Sequence, residues 1–159
     1  MTHFEDKICD SAKLQIRLAQ LPRPIVFTNG VFDLLHRGHV TYLAQARAMG
    51  ASLVVAVNTD ASVRRLGKGA DRPINLCEDR MAVLAALASV DMVIAFEQDT
   101  ALEAVSLVHP DYYVKGGDYD MSAIPEGQAV IAYGGKVAAI HFEHDRSTTK
   151  TVAKLRAQE

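Results

Sequence analysis

The sequence predicts an α/β fold, a three-layer sandwich with helices on both faces of a five-stranded parallel sheet. Three observations predict it. Short apolar runs recur at residues 25–28, 52–58, 90–96, 111–114 and 136–142, as expected of strands buried on both faces. Segments with helical spacing separate most of these runs, which is the alternation that builds a parallel sheet. The 159 residues, 49% hydrophobic and 23% charged, are ordinary globular values for a chain that can bury one core. The expectation is one domain over residues 1–159, with 1–24 as an N-terminal packing helix and lead-in.

Taken in order, residues 8–21 place Ile8, Ala12, Ile16 and Ala19 at helical intervals, and Pro22 and Pro24 end the segment. Ile25-Val26-Phe27-Thr28, between Pro24 and Gly30, reads as the first buried strand. A helix follows with Val40, Leu43, Ala44 and Ala46 near helical spacing and Gly50 as its stop. Residues 52–58 give the second strand, closing a βαβ unit over roughly thirty residues. Residues 59–73 are basic and broken by glycines, so a short helix running into a mobile loop is expected. Residues 78–89 form a helix with Met81, Leu84, Ala85 and Ala88 turned inward, before a third strand at 90–96. A helix at 100–108 precedes Pro110, and the fourth strand runs over 111–114. Tyr133-Gly134-Gly135 makes a turn, 136–142 gives the fifth strand, and the chain closes in a helix with Ser147 or Thr148 as its N-cap.

Composition excludes several classes. A net charge of −2 argues against a general nucleic-acid or membrane-surface binder. Cys9 and Cys77 form no Cys-x-x-Cys pair, so neither a disulfide framework nor a zinc cluster is indicated. No apolar run approaches the ~20 residues of a membrane span. Glu5 and Asp6 stand where a signal peptide would be basic, so a cytoplasmic location is expected. The glycine patterns of dinucleotide dehydrogenases and P-loop kinases are missing.

The chemistry concentrates where the first strand hands over to a helix, in Asn29-Gly30-Val31-Phe32-Asp33-Leu34-Leu35-His36-Arg37-Gly38-His39-Val40. A helix start offers free N–H groups to an anion, and residues three apart share a face, so this is an anion site carrying two imidazoles. Gly38 leaves room for close approach of a ligand. Lys115-Gly116-Gly117-Asp118-Tyr119 follows another strand, where open sheets bind ligands. Arg65, Lys68 and Arg72 suit a cationic lid, and Arg80 opposes the dipole of its own helix, which suggests a functional reason for it. Ser147-Thr148-Thr149 beside Arg146 supplies more hydroxyls than capping needs.

These segments, in this order, resemble the cytidylyltransferase-like enzymes, whose His-x-Gly-His signature stands here as His36-Arg37-Gly38-His39. The resemblance implies a Rossmann-like sandwich of nucleotidylyltransferase type. It is strongest to the D-glycero-β-D-manno-heptose 1-phosphate adenylyltransferase branch. Glycerol-3-phosphate relatives carry an arginine and acidic residues where Phe142 and Lys115-Gly116-Gly117 stand here. The implied substrates are ATP and heptose 1-phosphate, with Mg²⁺ on the triphosphate. The implied roles put His36 and His39 on the nucleotide phosphates with the helix dipole at Gly38, and Val31 and Phe32 in backbone contact. Ser147, Thr148 and Thr149 would hold the β- and γ-phosphates, backed by Arg65, Lys68 and Arg80. Lys115, Gly117 and Asp118 would face the sugar phosphate. The resemblance also implies a homodimer or higher homo-oligomer, in stand-alone form because no kinase half accompanies the chain. A transferase for another small phosphate, or a non-catalytic nucleotide-binding module, are the competing readings.

Overall fold

The computed structural model describes residues 3–67, 69, 71–141, 143 and 148–156; Lys68, Arg146 and Ser147 lie outside the described residues. Five parallel strands, β1 (Ile25–Gly30), β2 (Ser52–Asn58), β3 (Met92–Phe96), β4 (Tyr112–Gly116) and β5 (Lys136–Ile140), form one sheet in the order β3-β2-β1-β4-β5. The chain runs outward from β1 to β3, then crosses back to lay β4 on the other side of β1. That reversal opens a crevice at the carboxyl ends of β1 and β4, the position where open sheets take ligands.

The alternation of side chains along each strand sorts the core into two layers. Phe27, Val54, Ala56, Met92 and Ile94 pack with α1 (Leu14–Leu18), α5 (Leu102–Val108) and α6 (Pro125–Ala132) on one face. Val26, Leu53, Val55, Val57 and Val114 pack with α2 (Arg37–Ala48) and α4 (Cys77–Ala85) on the other. A short helix α3 (Asp60–Arg65) follows β2, and α7 (Thr148–Arg156) ends the described chain.

The N-terminal segment departs from expectation. Two short 3-10 turns, Phe4–Lys7 and Ser11–Lys13, precede the five-residue α1. Between them Ile8 bridges Val93 in parallel, and the Cys9 N–H donates to the Val93 carbonyl at 2.8 Å. The open edge of β3 thus captures extended backbone where a helix was expected, which blunts that edge. The buried positions are Leu14 and Leu18; Ile16 is 67% exposed, and Ala12 and Ala19 face solvent.

In α2 the inward stripe is Tyr42, Leu43 and Ala46, with Val40 and Ala44 exposed. Tyr42 belongs there because its hydroxyl bonds both the Thr28 hydroxyl and, at 3.2 Å, the Val114 carbonyl, linking α2 to β1 and β4. Helix α4 stops at Ala85, leaving Ala88 exposed beyond it. Helix α6 was not expected, although Pro125 at its first position and Glu126 in its first turn are start signals.

Gly127 marks a close approach in α6: a Cβ there would lie 1.7 Å from the Met121 carbonyl oxygen. Alanine normally favours a helix over glycine by about 1 kcal/mol. Here Gly127→Ala is expected to destabilise by about 2 kcal/mol through overpacking. A urea midpoint equal to or above wild type would refute that close contact.

Candidate active site

The crevice is a cleft of about 480 Å³. Its floor is the turn after β1, where Phe32 is held at φ 49°, a left-handed conformation that L residues avoid. The strain persists because buried polar bonds over-determine the turn. The Asp33 carboxylate accepts from the N–H groups of Ile74 and Asn75 at 2.9 Å and from the Arg72 guanidinium, while Asn75 Nδ2 donates to the Asp33 carbonyl at 2.7 Å. Burial pushes the Asp33 carboxyl up, but these N–H groups and Arg72 outweigh it and hold it below the usual carboxylate range.

Arg80 fastens the same turn from behind. Its guanidinium donates to the carbonyls of Asn75 (3.0 Å), Val31 (2.6 Å) and Asn58 (2.8 Å) and to the Asp60 carboxylate (2.8 Å). Expected as a phosphate contact, Arg80 is instead only 2% exposed and joins the ends of β1 and β2 to the start of α4. Its place in the first turn of α4 is explained by those carbonyls.

The two histidines sit where the turn becomes α2. His36 is the N-cap, its Nδ1 accepting from the His39 N–H at 3.4 Å. The rings stack at 3.8 Å, and Phe32 meets His39 edge-on at 5.4 Å. Burial, then the neighbouring His36, pulls the His39 pKa down to about 4; burial lowers His36 as well. Both rings are therefore neutral at pH 7. A neutral His36 whose Nδ1 accepts carries its proton on Nε2, a donor suited to a phosphate oxygen.

Val31, Phe32, His36, His39, Lys115, Thr148 and Thr149 all line this cleft. Thr148 donates its hydroxyl to the Leu34 carbonyl at 3.1 Å, bringing the start of α7 against the β1 turn. Lys115 lies with its Nζ 5.1 Å from the centre of the Tyr119 ring.

Other expected residues fall elsewhere. Gly38 is buried in the first turn of α2 and does not line the cleft. Gly117 turns the chain away at φ 117°, so Gly116 lines the cleft in its place. Asp118 consequently points outside, exposed and 2.5 Å from His141. Arg65 pairs with Asp99 at 2.7 Å and with the Glu97 carbonyl, off the cleft wall. Arg72 is no lid cation, being 8% exposed and held by Asp33. Lys68 and Ser147 lie outside the described residues.

Cleft residues to which sequence reasoning gave no individual role include Asn29, Asn58, Tyr42, Thr100 and Glu126. Tyr42 was discoverable, since it follows His39 at helical spacing. Thr100, in the loop before α5, and Glu126, in α6, reach the cleft only through folding.

A model of the cytidylyltransferase-like family matches residues 27–153, a span that contains every wall of the cleft. The chain belongs to the cytidylyltransferase-like family. Among its relatives, D-beta-D-heptose 1-phosphate adenylyltransferase of Bordetella bronchiseptica is 58% identical over 155 residues, covering 96% of both chains. Bifunctional protein HldE of Pseudomonas paraeruginosa is 55% identical over 83% of this chain, which spans only 28% of that longer protein. A crystal structure of the lipopolysaccharide core biosynthesis protein from Thermoplasma volcanium superposes with a TM-score of 0.62 at 30% identity, covering 77% of this chain and 98% of that one. In this cytidylyltransferase-like chain the signature histidines are thus a stacked, neutral pair at a helix start.

Asp33→Ala is expected to cost about 3 kcal/mol at neutral pH, because it leaves the Arg72 charge buried without its partner. The deficit should shrink as pH falls below the ordinary carboxylate value of ~3.9, where Asp33 loses its charge in the wild type as well. Urea titrations of both proteins across pH measure it.

His39 contributes a slope of the same sign at higher pH. Between its ordinary pKa of ~6.5 and its folded value of about 4, only the unfolded state binds the proton. Stability should therefore be lost as pH falls from ~6.5 towards about 4, by less than the ~1.4 kcal/mol per pH unit of one fully coupled proton. His39→Gln should flatten the curve, and an unchanged slope would remove His39 as its source.

Proposed function

We propose that this chain transfers AMP from ATP to D-glycero-β-D-manno-heptose 1-phosphate, giving ADP-heptose and pyrophosphate for the lipopolysaccharide inner core. The observation that carries this reading is the end-to-end identity of 58% with the Bordetella heptose 1-phosphate enzyme. In the cleft, the signature histidines, Lys115 and the start of α7 meet at one place.

The mechanism follows from charge. A sugar-phosphate oxygen attacks the α-phosphorus of ATP in line and the bond to pyrophosphate breaks, so the protein must position two anions and stabilise the charge that develops. His36 and His39, neutral at rest, donate to nucleotide phosphate oxygens without first giving up an ion pair of their own. The helix start of α2 adds its N–H groups, and Val31 and Phe32 hold the nucleotide by their backbone. Thr148 and Thr149, with Ser147, hold the β- and γ-phosphates. Lys115 faces the phosphate of the sugar.

Among the described residues no three His, Cys, Asp or Glu side chains are grouped to hold a metal, and both Asp33 oxygens are taken by N–H donors. These residues do not fit a metal held by the protein; Mg²⁺ belongs to this reading as an ion carried by the triphosphate. No helix among the described residues is long and apolar enough to cross a membrane. The reading further takes residues 1–159 as one nucleotidyltransferase domain of a cytoplasmic homodimer or higher homo-oligomer.

Pyrophosphate release tests the reaction, with ATP and CTP crossed against heptose 1-phosphate, glycerol 3-phosphate and phosphopantetheine. Release is expected with ATP and heptose 1-phosphate. His36→Ala or His39→Ala should lower turnover by about 10²-fold or more, as loss of one transition-state donor does. Faster release with another pair would replace the substrate, and unchanged turnover in both variants would remove the histidines from the mechanism.

A further inference from the structure

The cleft that gathers donors for anions also contains a buried carboxylate that the mechanism leaves without a task. Glu126, in the first turn of α6, is 8% exposed and lines the cleft. One of its oxygens accepts from the Ala101 N–H at 3.0 Å, which ties α6 to the loop before α5. No cation pairs with it among the described residues; the cleft's arginine, Arg72, is committed to Asp33. A carboxylate so placed repels a phosphate, so this wall cannot be where the phosphates rest. It calls for hydrogen-bond donors that carry no negative charge.

The neighbouring polar groups complement it. Asn29 accepts from the Tyr113 hydroxyl at 2.8 Å through Oδ1, which leaves its two amide N–H groups to serve as donors at the cleft wall. Asn58 gives a side-chain N–H to the Ser62 hydroxyl at 3.0 Å, so its side-chain amide oxygen, Oδ1, has acceptor capacity in the same cleft. An acceptor of full charge, a neutral acceptor and a fixed donor form the complement of a polyol, whose hydroxyls both donate and accept.

We propose that Glu126, with Asn29, is the specificity-determining wall for the acceptor, taking hydrogen bonds from hydroxyls of the sugar while its phosphate lies towards Lys115. This inference rests on the proposed reaction and adds to it the residues that distinguish a sugar phosphate from other small phosphates.

Glu126→Gln tests it, since the amide oxygen can still accept from Ala101 and only the charge is lost. Glu126→Asp keeps the charge and withdraws it by one methylene. Steady-state kinetics with ATP and heptose 1-phosphate, beside thermal unfolding of each variant, should show KM for heptose 1-phosphate rising about tenfold or more, the equivalent of one hydrogen bond to a charged group. KM for ATP and the unfolding temperature should hardly change. Folded variants with an unchanged acceptor KM, or with ATP KM raised as much, overturn the assignment while the reaction stands. Failure of both variants to fold makes Glu126 a structural residue and overturns it too. Wild-type protein inactive on heptose 1-phosphate would instead remove the proposed reaction, and with it the ligand named here.

Discussion

The buried carboxylate of Asp33 is the constraint on which the cleft depends. It lies at the end of the β1 turn and gathers Arg72, Ile74 and Asn75, which are far away in sequence, onto that turn. Arg80 completes the arrangement by binding carbonyls at the ends of β1 and β2 together with that of Asn75. A left-handed Phe32 would relax without such support, and its ring would no longer meet His39. Two cations that a charge pattern assigns to phosphates are thereby spent on the scaffold. Removing a partner from a buried charge is far more costly than rearranging a surface one, so these positions belong to the architecture of the site.

The electrostatics of the cleft divide along the same lines. On the α2 side stand a stacked imidazole pair and a helix start, which favour an anion without placing fixed positive charge there beforehand. The reaction proposed for this chain brings two highly charged phosphates together and then releases pyrophosphate. Neutral donors that strengthen as negative charge builds suit that sequence better than permanent ion pairs, which bind substrate and product alike. On the α6 side stands the buried carboxylate of Glu126, with Asp99 of the same wall already paired to Arg65, and this turns that wall towards uncharged hydroxyls.

Much of the fold was legible in the chain. Strand β2 matches residues 52–58, and the other four strands overlap their expected positions, because runs buried on both faces leave an unbroken apolar signature. The N-terminal segment was not legible: its helical spacing was real, but pairing of Ile8 and Cys9 with the edge of β3 took precedence over local preference. Helix α6 escaped notice because its apolar residues show no sharp stripe and its start signals stand in a polar, turn-rich stretch. At the site, the His-x-Gly-His segment announced itself because all its functional atoms are local. Glu126 and Thr100 carry no local pattern and join the cleft only when α5 and α6 pack beneath β1 and β4.

The amino-acid sequence by itself determined the parallel α/β layering, the strand-to-helix turn that presents two histidines, and the family whose signature they form. These rest on periodicity and on contacts within a few residues. Only the tertiary structure decided which charges serve the ligand and which serve the fold. Arg65, Arg72 and Arg80 look alike along the chain, yet one lies off the cleft wall, one is bound to Asp33 and one is buried among carbonyls. The partner of a charge is chosen by distance in space, and that distance does not exist until β1, β2 and α4 are packed.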